Sequence, residues 1–273
     1  MISGWKELLK ILPKQIGAEV DLYRSAGPQE LRLRLSRPPI LIRAAGEQIL
    51  QGRVTADDLN YCINAATKYS PWAAATIAEG FVTAPGGHRI GICGEAVGQG
   101  VSFKGLRDYQ SLCIRIAADH KGIANNLPSL IGNILIIGPP GSGKTTLLRD
   151  LIRELANKEN VAVIDQRWEI FPACFDPGLR TDILSGCEKE RAVDMLLRTM
   201  SPDTIAMDEI TKSSDCDALK KAAWCGVRLI ATAHAANTAE LRRRNVYAPL
   251  LQSGIFTHLV VLQKDKSFRT ERL

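Results

Sequence analysis

Residues 138 to 145 read Gly138-Pro139-Pro140-Gly141-Ser142-Gly143-Lys144-Thr145, which fills the pattern G-x-x-x-x-G-K-[ST] completely. Each residue type has a chemical reason to be there. Glycines let successive backbone N–H groups turn inward around a phosphate, and a following helix adds the positive end of its dipole. Lys144 is placed to reach the β and γ oxygens, and Thr145 offers a hydroxyl to Mg²⁺. The apolar run NILIIG precedes the motif and the helical run TTLLRDLIRELAN follows it, which is the strand and helix context the pattern needs. The expected nucleotide-binding set is therefore residues 138 to 145 with Thr146, and the expected cofactors are ATP and Mg²⁺.

A phosphate cradle alone implies binding, so a second group must hold the metal and activate water. The run TIAMDE ends an apolar strand in two carboxylates. Asp208 is suited to coordinating Mg²⁺ through its water shell, and Glu209 to orienting or deprotonating the attacking water. Neighbouring strands end in polar groups too: Asp165, Gln166, Arg167 and Glu169 after VAVI, and Thr232 and His234 in RLIATAH. Ligands of open α/β sheets sit beyond the carboxyl ends of the strands, so these groups are placed to meet the γ-phosphate. His234 could report that phosphate to a moving segment by hydrogen bonding. Asn157-Lys158-Glu159-Asn160 lacks the aspartate that reads guanine, which favours ATP over GTP. Phosphoryl transfer also needs positive charge besides Lys144, and Arg89, Arg115 and Arg167 are the candidate fingers. Fingers without an obvious place in the same domain suggest a homo-oligomer whose neighbour completes the site.

The elements that must position these groups can be read from periodicity. NILIIG (133–138), VAVIDQ (161–166), TIAMDE (204–209), RLIATAH (228–234) and HLVVLQ (258–263) alternate with helical stretches, the mark of a parallel sheet with crossover helices. The first half is different. Leu31, Leu33 and Leu35 alternate with Arg32 and Arg34, which predicts a half-buried strand, and ILIRAAGEQI reads as a returning one. Thr55 with Asp58 three positions on opens a helix whose stripe is Leu59, Cys62, Ile63 and Ala66. An alanine-rich helix is expected over 71–79, and hairpin strands over the Gly-rich stretch after it. The seam falls in His120–Asn133, giving an α+β N-terminal domain over 1–126 and a P-loop domain over 127–273.

Composition narrows the partners. The chain has 273 residues, 45% of them apolar and 23% charged, enough to bury a core and far from a disordered composition. Aromatics are only 5%, which leaves few platforms for stacked bases. The +6 net charge favours acidic surfaces mildly, and Arg242-Arg243-Arg244 reads as a solvated helix face, so no nucleic-acid partner is expected. Seven cysteines without a C-x-x-C pair fit reduced core thiols and a cytoplasmic location. Trp5, Leu8, Leu9 and Leu12 share one helical face, read as a docked surface helix. No apolar run approaches the roughly 18 residues of a membrane span, so membrane contact is expected through partners.

The segments GPPGSGKTTLLRDLIR, IDQRWEI, MLLRTMSPDTIAMDEI and ATAHA, with ELRLRLSRPPIL and EGFVTAPGGHRIGICGEAV before them, resemble the stage III sporulation protein AA family of spore-forming Firmicutes. That family in turn is similar to the hexameric ATPases of type II and IV secretion and type IV pili. The resemblance implies a RecA-like motor domain behind a smaller N-terminal domain, a hexamer, and a role in energising a channel complex between mother cell and forespore. It implies membrane proteins of that complex as partners, reached from the mother-cell cytoplasm. It maps Walker A onto Gly138 to Thr145, Walker B onto Asp208 and Glu209, the histidine box onto His234, and nucleotide-approaching arginines onto Arg89 and Arg115. The family's Asp-Glu-Arg segment reads Asp165-Gln166-Arg167 here, and the wider group's Gly-Glu reads Asp208-Glu209. Two alternatives stand beside the motor: a nucleotide-controlled assembly scaffold with negligible turnover, and a nucleic-acid remodelling ATPase.

Overall fold

A computed structural model describes residues 4–68, 77, 80–98, 105–125, 127, 129–172 and 175–273 of the chain. They form two units: Met1–Asp119 with Pro172–Phe175, and His120–Phe171 with Asp176–Leu273. The second unit starts inside the stretch read as a seam, a few residues before the boundary drawn at 126/127.

In the first unit, α1 (Trp5–Lys10) and α2 (Lys14–Asp21) precede β1 (Pro28–Arg34). Trp5, Leu8 and Leu12 are buried with Leu31 and Leu33 in one core, and Trp5 Nε1 donates to Asp21 at 2.6 Å, so the N-terminal helix is docked. Leu31 and Leu33 alternate with Arg32 and Arg34, the pattern that one covered face imposes on a strand. The segment expected as one returning strand is two, β2 (Ile40–Arg43) and β3 (Gly46–Ile49), paired antiparallel with Arg43 opposite Gly46. Gly46 takes φ +118, which lets the chain reverse without the Asn-Gly or Asp-Gly signal of a tight hairpin. Helix α3 (Ala56–Thr67) starts at a true capping box: the Asp58 N–H donates to the Thr55 hydroxyl at 3.2 Å, and the Thr55 N–H to the Asp58 carboxylate at 2.8 Å. It buries the expected Leu59, Cys62, Ile63 and Ala66. The Gly-rich stretch supplies β4 (Phe81–Thr83) and β5 (Arg89–Val97), which join β6 (Gly105–Arg115) in an antiparallel sheet ordered β3-β2-β1-β6-β5-β4. The alanine-rich helix expected over 71–79 lies, but for Ile77, outside the described residues.

The second unit is built on a sheet whose central strands are covered on both faces. Ile134, Leu135, Ile136 and Ile137 of β7 (Ile134–Gly138) are all fully buried. Around β7 stand β8 (Val161–Asp165), β9 (Thr181–Ser185), β10 (Thr204–Met207), β11 (Arg228–His234), β12 (His258–Leu262) and β13 (Phe268–Arg272). Their order is β13-β12-β7-β11-β10-β8-β9, parallel throughout except where β13 pairs antiparallel with β12. The five strands read from the sequence are the five inner ones. β9 and β13 escape that reading because an edge strand, wet on one side and carrying Asp182, Arg269, Glu271 and Arg272, has no apolar run to show. Helices α4 (Lys144–Leu155), α5 (Lys189–Thr199), α6 (Ser213–Trp224), α7 (Thr238–Arg243) and α8 (Ala248–Gln252) link the strands. Register does the positioning: His234 lies opposite Gly138, and Met207 lies between Ile164 and Ala231. The chain therefore leaves β7, β8, β10 and β11 at one edge of the sheet, the edge where ligands of such folds bind.

Candidate active site

The loop after β7 turns through Gly141 at φ +74 and Gly143 at φ +98, a conformation few side chains tolerate, and Gly143 then caps α4. Gly138 is needed for a different reason, since a Cβ there would stand 2.5 Å from Ser142 Oγ. Lys144 is folded back over this loop. Its ammonium donates to the carbonyls of Gly138 and Pro139, each at 3.0 Å, and to His234 Nδ1 at 3.1 Å. Burial pushes the Lys144 pKa down, while the carboxylates of Asp208 and Glu209 pull it back up.

The carboxylates after β10 are held mainly by side chains. Asp208 accepts from Thr145 Oγ1 at 2.7 Å and from Thr232 Oγ1 at 2.5 Å, and the same threonine hydroxyl accepts from the Glu209 N–H at 2.8 Å. Glu209 has a left-handed backbone, φ +52. Its carboxylate stands between Arg167 Nη1 at 3.1 Å and His234 Nε2 at 3.4 Å. His234 is thus bracketed by Lys144 and Glu209, its Nδ1 accepting and its proton on Nε2. Burial first, and then the Lys144 charge, keep its pKa below the ordinary histidine value.

Asp165 has another employment than the expected contact with a ligand. It is buried, and its two oxygens accept from the N–H groups of Glu169 at 2.8 Å, Ile170 at 3.0 Å and Phe171 at 3.2 Å. From the other side Arg149 of α4 donates to the carbonyls of Glu169 and Ile170. The 166–171 loop is pinned between strand and helix, and it presents the mostly exposed Arg167 to Glu209. Glu169 contributes backbone groups to this arrangement.

The structure thus gathers Lys144, Thr145, Asp208, Glu209, His234 and Arg167 at one sheet edge. Arg89 and Arg115 belong to the other unit, where they lie opposite one another in the β5–β6 register; Arg115 also faces Glu30, and Arg89 covers the Phe81 ring at 4.2 Å. Periodicity gave no sign of Arg149, Lys189 or Asp215, which tie the loops around Glu209. Arg149 and Lys189 sit in helices whose charges read as solvated faces, and the one available signal for Asp215 was its place in a first helical turn.

A triphosphate with Mg²⁺ fits these residues. Ser142 is 2% exposed and its hydroxyl has no hydrogen-bond partner, an orphaned group at the heart of the loop. Thr145 and Asp208 bring a hydroxyl and a carboxylate together, the hard oxygen donors Mg²⁺ shares with phosphate oxygens.

The family model for sporulation stage III, protein AA matches residues 7–270. Stage III sporulation protein AA of Bacillus subtilis (strain 168) is 35% identical over 97% of this chain and 89% of its own length. Among solved structures, the ATPase DotB of Legionella pneumophila superposes with TM-score 0.61 at 17% identity, over 96% of this chain and 80% of that one. The pilus retraction motor PilT superposes with TM-score 0.64 at 17% identity, over 93% and 77%. The shared fold is the RecA-like P-loop domain behind a smaller α+β domain.

Proposed function

The chain belongs to the stage III sporulation protein AA family, and from that premise we propose that it binds ATP with Mg²⁺ at residues 138–146 and hydrolyses it to drive a secretion-type channel complex between mother cell and forespore. One observation carries the reading: Thr145 and Thr232 hold Asp208 at 2.7 and 2.5 Å while Arg167 and His234 flank Glu209, all beside the lysine of a complete P-loop. PilT, of the same fold, was solved with ADP bound.

Bound there, the magnesium nucleotide supplies the electrophilic phosphorus and offsets the charge of its own oxygens. The chain's part is to place and activate. Lys144 exchanges its loop carbonyls for phosphate oxygens, and Ser142 gains the partner it lacks. Glu209 accepts a hydrogen bond or proton from water, with Arg167 and His234 fixing its two oxygens. Because His234 touches both Lys144 and Glu209, movement of the lysine onto a phosphate releases the histidine, a route by which the bound state is felt elsewhere in the unit. Arg89 and Arg115 are the proposed fingers, supplied by a neighbouring copy in a ring that we take to be a hexamer. Among the described residues no helix is long and apolar enough to cross a membrane. The proposed site of action is the mother-cell side of that membrane, reached through membrane proteins of the channel.

Turnover by the purified chain tests this, wild type beside Glu209→Gln. The variant retains ATP affinity and loses about 10²- to 10⁴-fold in kcat, the worth of a general base. Specific activity that rises with protein concentration supports shared sites. Negligible wild-type turnover with intact ATP binding is the scaffold outcome.

A further inference from the structure

Lys189, the first residue of α5, carries one of the few buried charges with no place in the proposed chemistry. Its side chain is 7% exposed and stands 3.5 Å from Asp215 Oδ2, itself 3% exposed. The same ammonium donates to the backbone carbonyl of Glu209. That carbonyl belongs to a residue at φ +52, a conformation glutamate adopts only when its surroundings impose it.

Those surroundings can be followed bond by bond. On the N-terminal side the Glu209 N–H is taken by Thr232 Oγ1 at 2.8 Å. On the C-terminal side Asp215 Oδ2 accepts from the Thr211 N–H at 2.8 Å, the Thr211 hydroxyl at 3.1 Å and the Lys212 N–H at 3.1 Å. Tyr247 donates to the carbonyl of Ile210 at 3.1 Å. The ammonium of Lys189 joins these two sides, since it holds the Glu209 carbonyl and the carboxylate that gathers the next turn. A buried lysine with those two partners is a charged clamp on the exit of β10. Beside it is a cavity of about 20 Å³, room for one water, lined by Lys189, Asp208, Glu209, Arg167 and the Asp165 turn.

We propose that Lys189 is a positioning residue that, with Asp215, locks Glu209 in its left-handed turn and so fixes its carboxylate at the wall of that water-sized cavity. The inference rests on the reading of Glu209 as the water-orienting group. Its geometric half stands independently of turnover.

Hydrogen exchange of the nucleotide-free chain, wild type against Lys189→Met, is the first arm. The lock predicts exchange at least about tenfold faster at the amides of 209–212, with the β7 and β8 amides unchanged. Equal exchange at 209–212 overturns it, and so does loosening spread evenly over β7 and β8. The second arm is kinetic: kcat falls about 10- to 100-fold while KM and the affinity for ADP stay within about twofold, because misplacing a catalytic group costs rate and leaves ground-state binding alone. Unchanged kcat, or kcat and affinity lost in proportion, overturns the positioning role. If Lys189→Met does not fold, Asp215→Asn takes its place; its milder loss leaves the acceptor oxygen for Thr211 and Lys212 and removes the charge that faces Lys189. Wild-type protein that shows the exchange lock but splits no ATP leaves the clamp standing and removes the functional reading instead.

Discussion

β8 and β10 run side by side with Ile164 against Met207, and each leaves the sheet through a carboxylate, Asp165 in one strand and Asp208 in the other. The partners separate them. Asp165 accepts from three backbone N–H groups of its own loop, donors that exist to order a turn and that nothing would replace if the carboxylate moved away. Asp208 accepts from two threonine hydroxyls, each able to rotate toward a metal or a phosphate. Two strand-end aspartates of the same sheet therefore divide into a loop anchor and a ligand-ready group, and the division is set by whether the donors are backbone or side chain. The two histidines at hand follow the same rule. His88 lies between the Gly4 carbonyl at 3.0 Å and the Ala117 N–H at 3.1 Å, whereas His234 lies between the side chains of Lys144 and Glu209.

The largest effect that sharpens this contrast is expected from Asp208→Asn. The amide oxygen can still accept from one threonine, so the fold and its thermal midpoint hold, while kcat drops about 10²- to 10³-fold with the loss of a charge that stabilises the transition state. A midpoint that falls with the activity would break the contrast. Asp165→Asn is expected to do the reverse. One of its oxygens becomes an NH₂ facing backbone N–H donors, a cost of about 1–3 kcal/mol read as a lower thermal midpoint, with nucleotide affinity retained at temperatures where the variant is folded. Loss of ATP binding without loss of stability would place Asp165 at the ligand after all.

The smallest effect is a slope. Burial holds the His88 pKa below the ordinary histidine value. Below about pH 6.5 the unfolded chain takes up a proton that the folded one refuses, so stability is full above that pH and falls as the pH drops toward the depressed folded value. Thermal midpoints measured between neutral and mildly acidic pH are expected to decline less steeply in His88→Gln than in wild type. Equal slopes would remove His88 from the anchors.

What was legible in the sequence follows from the same physics. Residues 138 to 145 must satisfy backbone conformation and phosphate chemistry at once, so their identity is nearly forced and their reading needed no structure. The five inner strands were legible because burial on both faces demands continuous apolar runs such as Ile134–Ile137. The edge strands β9 and β13 were not, since a wet edge makes no such demand. Asp165 and Asp208 looked alike because a sequence shows a carboxylate at a strand end and not the donors folded around it. Lys189 was hidden for a related cause: its burial depends on α5 packing against α6, a tertiary fact with no local signature.

The central claim is that the P-loop of this chain grips a magnesium triphosphate through Lys144. Equilibrium binding of a fluorescent, nonhydrolysable ATP analogue, with and without Mg²⁺, to wild type and to Lys144→Ala tests it most directly. The account predicts saturable, magnesium-dependent binding by wild type that weakens about 10- to 100-fold in the variant, the loss of a charge-assisted contact to phosphate. Wild-type protein that leaves the analogue free at saturating concentrations, or a variant that binds it equally well, would contradict it.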